Sequence, residues 1–353
     1  MCANTLAKRT KPSMTWSRRS CATCAARCDD SESDWGSSVI RERRRFFSAR
    51  ATSLALMLVL AGAALVLLPS TAFAWTPGTH VFLGEAVMRS LDLLPAAVAE
   101  LLRAFPYDFL YGSIAADTSM AKKYAPVGRH CHSWTVGLEI YDGAEDEPLR
   151  AFALGYLAHL AADSVAHNYF VPKQLAVTSS TSSLGHSYWE SRFETHLGER
   201  YSRRARDLIT LDHSRSDGLL DRILSPTIFS TSTNRRIFRG MVVVADSESW
   251  QRIFQLMKEN SRWDLADEEV RRYLERSFDY IVDFLRRIER SEPYQLDPSG
   301  DHPLRLAKRV RRAVLRREGD AELREEAERQ FGMPESALKF SEQLELPLYA
   351  PSR

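Results

Sequence analysis

Cysteine is scarce in this sequence of 353 residues, and it sits where it cannot staple a fold. Of five cysteines, Cys2, Cys21, Cys24 and Cys28 crowd the N-terminal end and only Cys131 lies further in. A disulfide scaffold is thereby excluded for the rest of the chain, which must rest on an apolar core or on metals. Cys21, Cys24 and Cys28 are spaced like a metal knuckle, but no nearby Cys or His completes a tetrahedral set. Strand-like alternation is also lacking, as is any internal repeat. Net charge is low: residues 1–74 hold 11 Lys or Arg against 5 Asp or Glu, so of the formal +2 they carry +6 and the remainder −4. A strongly anionic polymer is not favoured as a partner by that balance.

One long apolar run is present, Ala51 to Leu68, ended by Pro69 and followed by Ala72-Phe73-Ala74. Small residues in this A-x-A pattern predict signal-peptide cleavage after Ala74, which frees the α-amino group of Trp75. Upstream, Arg43-Arg44-Arg45-Phe46-Phe47 resembles a twin-arginine export signal, with an arginine-rich Sec leader as the alternative. The expectation is an exported protein, periplasmic or secreted. An uncleaved run would instead anchor it, since about 20 apolar residues span a bilayer. The division predicted is a basic leader extension over 1–50, a signal-peptide region over 51–74, a main domain over 75–291, and a linker with a charged helical extension over 292–353.

Beyond Trp75 the apolar residues recur at helical spacing, as in Phe82, Ala86, Val87, Leu93, Leu94, Val98, Leu101 and Leu102. Leu149 to Tyr169 is apolar nearly all round, the mark of a helix inside a bundle. Ser183 to Arg206, Asn234 to Met257 and Ala266 to Ile288 read as further helices. The fold class expected is all-α, a multi-helix bundle. Breakers at Tyr124–Gly128, Asp142-Gly143, Thr178–Ser183 and Glu292–Pro303 supply loops, the last read as a linker. After it comes a charged helix or helix pair broken at Gly319. Its thin stripe of Leu306, Val310, Ala313 and Val314 suits packing on the domain or contact with an anionic membrane surface.

All nine histidines lie beyond residue 74. His159, Asp163 and His167 stand at i, i+4 and i+8 on one face of the most apolar helix, and His186 and Glu190 form another i, i+4 pair. Burying Asp163 among alanines without a partner costs several kcal/mol, so a cation is expected to compensate it. With His80, Asp117 and the triplet His130-Cys131-His132 nearby in sequence, the imidazole and carboxylate set suits zinc in an open, catalytic site. The other reading is core histidines bonded to backbone with Asp163 paired to an arginine.

The ordered set formed by a processed N-terminal Trp75, then His80, Asp117 in Gly-Ser-Ile-Ala-Ala-Asp, His132, His159-x-x-x-Asp163, His167 and His186-x-x-x-Glu190 resembles the zinc-dependent phospholipases C and the related single-strand-specific nucleases. The resemblance covers roughly Trp75 to Glu190. It implies an all-helical domain holding three zinc ions. Carried over, Trp75 (through its amine and carbonyl), His80 and Asp163 would hold one ion. Asp117, His132, His159 and Asp163 would hold a second, with Asp163 bridging. His167, His186 and Glu190 would hold the third. His130 competes with His132, and His132 fits the family spacing from Asp117 better. In the family the His after H-x-x-x-D comes about six residues beyond the Asp, whereas His167 follows Asp163 by four. On an unbroken α-helix that puts it about 6 Å further along the axis.

The chemistry implied is phosphodiester hydrolysis, with zinc lowering the pKa of water toward about 7 and Asp117 as candidate general base. Phospholipid is the expected substrate, with possible peripheral membrane contact and no obligate protein partner evident. Tyr169-Phe170-Val171-Pro172, Tyr188 and Trp189 are apolar candidates for the site's mouth, although Tyr169 and Trp189 equally suit core. Nucleic acid is the alternative substrate, but Arg129, Lys122 and Lys123 are too few for a long electrostatic groove. A non-catalytic zinc-stabilised envelope protein is the third reading; it would close each metal site with protein ligands.

Overall fold

A computed structural model describes residues 75–119, 124–126, 128–178, 182–317 and 319–343. The leader with its apolar run, cleavage motif and four cysteines lies outside these residues, as do Lys122 and Lys123. Among the described residues no strand occurs, and the protein is all-α as its periodicity implies. No helix among them is long and apolar enough to cross a membrane.

The helix at the centre is Glu147–Val165, here α5. Asp146 caps it by accepting from the Leu149 N–H at 3.0 Å, and Pro148 in the first turn needs no donor partner. Every residue from Ala151 to Val165 is buried. Before it in the chain come α1 (Pro77–Arg89), α2 (Ala96–Ala104), α3 (Pro106–Ala115) and α4 (Trp134–Asp142). After it, α6 is Val171–Thr178, α7 Ser182–Glu194, α8 Glu199–Ile209, α9 Ser214–Ile223, α10 Thr231–Ala245, α11 Glu248–Glu259 and α12 Asp267–Arg287. α3, α4 and α12 pack around α5.

Two glycines set how closely α3 and α5 meet. A Cβ on Gly112 would lie 2.0 Å from the Phe152 carbonyl oxygen, and one on Gly155 2.0 Å from that of Phe109. No side chain fits at either position, so the two backbones touch. That contact brings the end of α3, and the 3₁₀ turn Ala116–Thr118 that follows it, beside the polar face of α5.

The long helices read from sequence are more broken than expected. Gly198, at φ +80°, separates α7 from α8 within the Ser183–Arg206 span. Ser247 caps a new helix by accepting from the Trp250 N–H, which divides Asn234–Met257 into α10 and α11. At the C-terminal side, α13 (Asp301–Val314) and α14 (Asp320–Phe331) pack on α6. Ala307 and Val310 are buried and Leu306 and Val314 are half-buried against the core, so this part of the thin stripe of α13 faces protein, while Ala313 is exposed. Residues 292–303 pack on the bundle too, through contacts described below.

Candidate metal centre

Four elements converge on the Asp163 carboxylate. His80 comes from the first turn of α1, Asp117 from the 3₁₀ turn, His132 from the loop before α4, and His159 from one turn earlier on α5 itself. Oδ1 of Asp163 lies 3.2 Å from His80 Nε2, while Oδ2 lies 2.9 Å from His132 Nε2 and 3.1 Å from His159 Nε2. Asp117 Oδ1 is 3.3 Å from His132 Nε2 and 3.9 Å from His159 Nε2. All five side chains are 1% exposed or less. His159 Nδ1 donates to the Ser113 carbonyl at 2.9 Å, which directs Nε2 at the carboxylates. The Gly112–Gly155 contact places that carbonyl.

His130 is not part of this convergence. Its Nδ1 accepts from the His132 backbone N–H at 3.0 Å, bracing the loop while His132 turns inward. Cys131 Sγ lies 3.2 Å from His132 Nδ1, and its carbonyl accepts from the Tyr156 hydroxyl at 2.7 Å.

A second group holds His167, His186 and Glu190, whose possible donor atoms lie within 4.8 Å of one another. His186 Nε2 is 2.7 Å from Glu190 Oε1, as their i, i+4 spacing on α7 requires. His167 reaches them because α5 does not continue as an α-helix. Ala166–Phe170 form one π turn, whose i+5 bonding re-aims the side chains beyond it. The stripe of His159, Asp163 and His167 is thereby split between two groups, and the four-residue spacing after Asp163 is accommodated. The His167 ring stands 5.2 Å from that of His186 and 6.2 Å from that of His132, so the groups adjoin.

Trp75 is fully buried. Its Nε1 donates to the carbonyl of Ala162, the residue before Asp163, at 3.2 Å, and its ring packs against Phe170 and Phe193. The segment from Trp75 to His80 is held by a residue the sequence reading missed. Glu194, in the last turn of α7, receives hydrogen bonds from the Thr76 and Ser202 hydroxyls and the Gly78 and Thr79 backbone amides. It caps the start of α1 from across the bundle, and a Cβ on Gly78 would come within 2.7 Å of its carboxylate. Burial pushes its carboxyl above the usual glutamate range. The signal was present: Glu194 follows Glu190 by one helical turn.

Of the apolar candidates for the mouth, Phe170, Val171, Pro172 and Trp189 are core, and Tyr169 and Tyr188 are half-buried. Tyr188 donates to Ser261 Oγ at 2.7 Å and packs on Phe254 of α11. Arg129 is not turned to the site: its guanidinium pairs with Glu139 and donates to the Ile223 carbonyl.

The donor set fits zinc. Ligand atoms around a tetrahedral ion with bonds of about 2.0–2.1 Å stand about 3.3–3.4 Å apart, which the separations of 2.9–3.9 Å bracket. Both Asp163 oxygens and His80 Nε2 are buried without a hydrogen bond of regular geometry, the state of groups shaped for a cation. Burial alone would raise the Asp163 carboxyl, but the field of His159 and the approach of His132 and His80 hold it well below the carboxylate range. Burial and the neighbouring His159 lower His80 to about 4, so its imidazole is neutral and able to ligate.

Fold and donor set together define a helical protein built around a buried cluster of imidazoles and carboxylates that could hold metal. Residues 79–226 match the family model of zinc dependent phospholipase C, and this segment is similar to that family. The matched segment contains every candidate side chain from His80 to Glu190, while Trp75 precedes it and residues 292–303 follow it. Comparison with curated proteins and with solved structures gives no match.

Proposed function

We propose that the protein is an exported phosphodiester hydrolase of the phospholipase C type, acting on phospholipids. The observation that carries this is the Asp163 carboxylate, whose two oxygens face different imidazoles, His80 on one side and His132 with His159 on the other. A carboxylate so placed would be shared between two sets of donors. In this reading Trp75 (by its amine and carbonyl after cleavage), His80 and Asp163 would hold one zinc, and Asp117, His132, His159 and Asp163 a second. His167, His186 and Glu190 would hold a third, and these three protein donors are one fewer than the four of a structural site.

Bound zinc supplies a Lewis acid that polarises phosphoryl oxygen and acidifies water. The chain's residues do the rest. Asp117, a buried carboxylate whose Oδ1 stands 3.3 Å from His132 Nε2, would orient the attacking water and accept its proton. Burial of the whole set strengthens each electrostatic contact with the phosphodiester. Arg129 is spent on Glu139 and the Ile223 carbonyl and so does not serve to follow a polymer's phosphates, which favours lipid over nucleic acid.

The test uses zinc-loaded protein that begins at Trp75. It is expected to release phosphorylated head group from phospholipid vesicles faster than it degrades single-stranded DNA or RNA. Faster turnover of nucleic acid would establish the nuclease reading instead. One residue added before Trp75 converts the amine to an amide and is expected to lower zinc content by one ion; full metal content in the extended protein would remove Trp75 from the ligand set.

A further inference from the structure

We infer that the loop Leu296–Gly300, beyond the segment that matches the family, is a positioning device for the third metal group and sets the direction of His167. The inference rests on the metal reading above. His167 Nδ1 stands 2.6 Å from the Pro298 carbonyl oxygen. A carbonyl only accepts, so Nδ1 carries the hydrogen, and Nε2 is the nitrogen that ligates. The ring is thus fixed in tautomer and orientation by a backbone atom 131 residues away in sequence.

The loop is itself held on several sides. Trp134 Nε1 donates to the Leu296 carbonyl at 2.8 Å, and the Trp134 ring stacks on Phe284 of α12. Asn168 Nδ2 donates to the Asp297 carbonyl at 2.9 Å and to the Ser164 carbonyl at 2.8 Å, which ties the loop to the π turn. The Ser299 backbone N–H and hydroxyl donate to the Asp297 carboxylate. Gly300 has φ +60°, and a Cβ there would meet His167 Cβ at 2.4 Å and its carbonyl oxygen at 2.6 Å. Glycine is therefore required both by conformation and by space. The helices that follow the loop are tied to α6: Arg311 of α13 donates to the Ala176 and Val177 carbonyls, and Glu328 of α14 pairs with Lys173 at 2.7 Å. The prolines and glycine that read as a linker are the features that let a backbone reach an imidazole.

The experiment measures zinc affinity by competition with a chromogenic chelator, zinc alone being the probe, on the chain from Trp75 and its variants. Gly300→Val drives a branched side chain into His167, and Asn168→Ala releases the loop without adding bulk. Each is expected to weaken one zinc about 10–100-fold, the effect of losing a metal ligand's orienting partner, and to leave the remaining zinc unchanged. Gly218→Ala, a helical position with nothing within 4 Å of the added carbon, is expected to match the wild type. Far-UV circular dichroism reports the fold, and if Gly300→Val does not fold, Asn168→Ala decides alone. Wild-type zinc affinities in the folded variants would overturn the inference and leave the metal reading standing, as would equal weakening of every zinc. A wild-type chain that takes up no zinc would overturn both.

Discussion

His80 shows how a single residue is kept ready for metal. It is enclosed on the first turn of α1, stacks on His159 at 3.8 Å, and stays neutral in the fold until about pH 4 against an ordinary 6.5. In the metal-free protein the unfolded chain takes up the proton first. Stability is therefore expected to fall as pH drops from about 6.5 to about 4 and to level off below, a loss of about 3 kcal/mol from this group. Urea melts of metal-free protein at pH 7 and pH 4 measure it, and His80→Gln is expected to flatten that part of the dependence. An identical slope in the variant would assign the proton uptake elsewhere. At this scale the sequence was legible wherever side-chain type and spacing coincide, as in His159 with Asp163 and His186 with Glu190. It was silent about the Ser113 and Pro298 carbonyls, because every residue carries that group and only the fold selects which one meets an imidazole.

Among the elements, α1 depends on α7 for its beginning. The Glu194 carboxylate gathers two amides and the Thr76 hydroxyl at the start of the helix that presents His80, together with the Ser202 hydroxyl of α8. Glu194→Gln keeps the volume but turns an amide N–H₂ toward donors, so at least one donor is left unmatched. The expected cost is about 1–3 kcal/mol, read as a lower midpoint in chemical denaturation. An unchanged midpoint would show that water replaces the missing acceptor. Helix identity was plain from periodicity, and the buried centre at α5 was plain from its lack of a polar face. Boundaries were not: Gly198 divides two helices by a positive φ and Ser247 starts one by a side-chain cap, neither of which an apolar repeat records. The π turn at Ala166–Phe170 was equally invisible, since it changes the bonding pattern without changing composition.

Across the whole molecule, the candidate ligands come from α1, the turn after α3, the loop before α4, α5 with its π turn, and α7, with a brace from the loop before α13. Any ion bound there joins stretches distant in the chain. Removing metal with a chelator is therefore expected to lower the thermal midpoint substantially, since each site held at 100-fold excess over its Kd contributes about 2.7 kcal/mol. Scanning calorimetry with and without chelator tests this, and an unchanged midpoint would mean that the centre forms without contributing to stability. A further consequence follows from Cys131 standing alone among the described residues. In the proposed reading, coordination takes the part that covalent cross-links play in other domains, but it is reversible at the concentrations of the surroundings. Resistance to proteases is then expected to follow the local zinc supply, the loaded protein persisting and the emptied one being cleared.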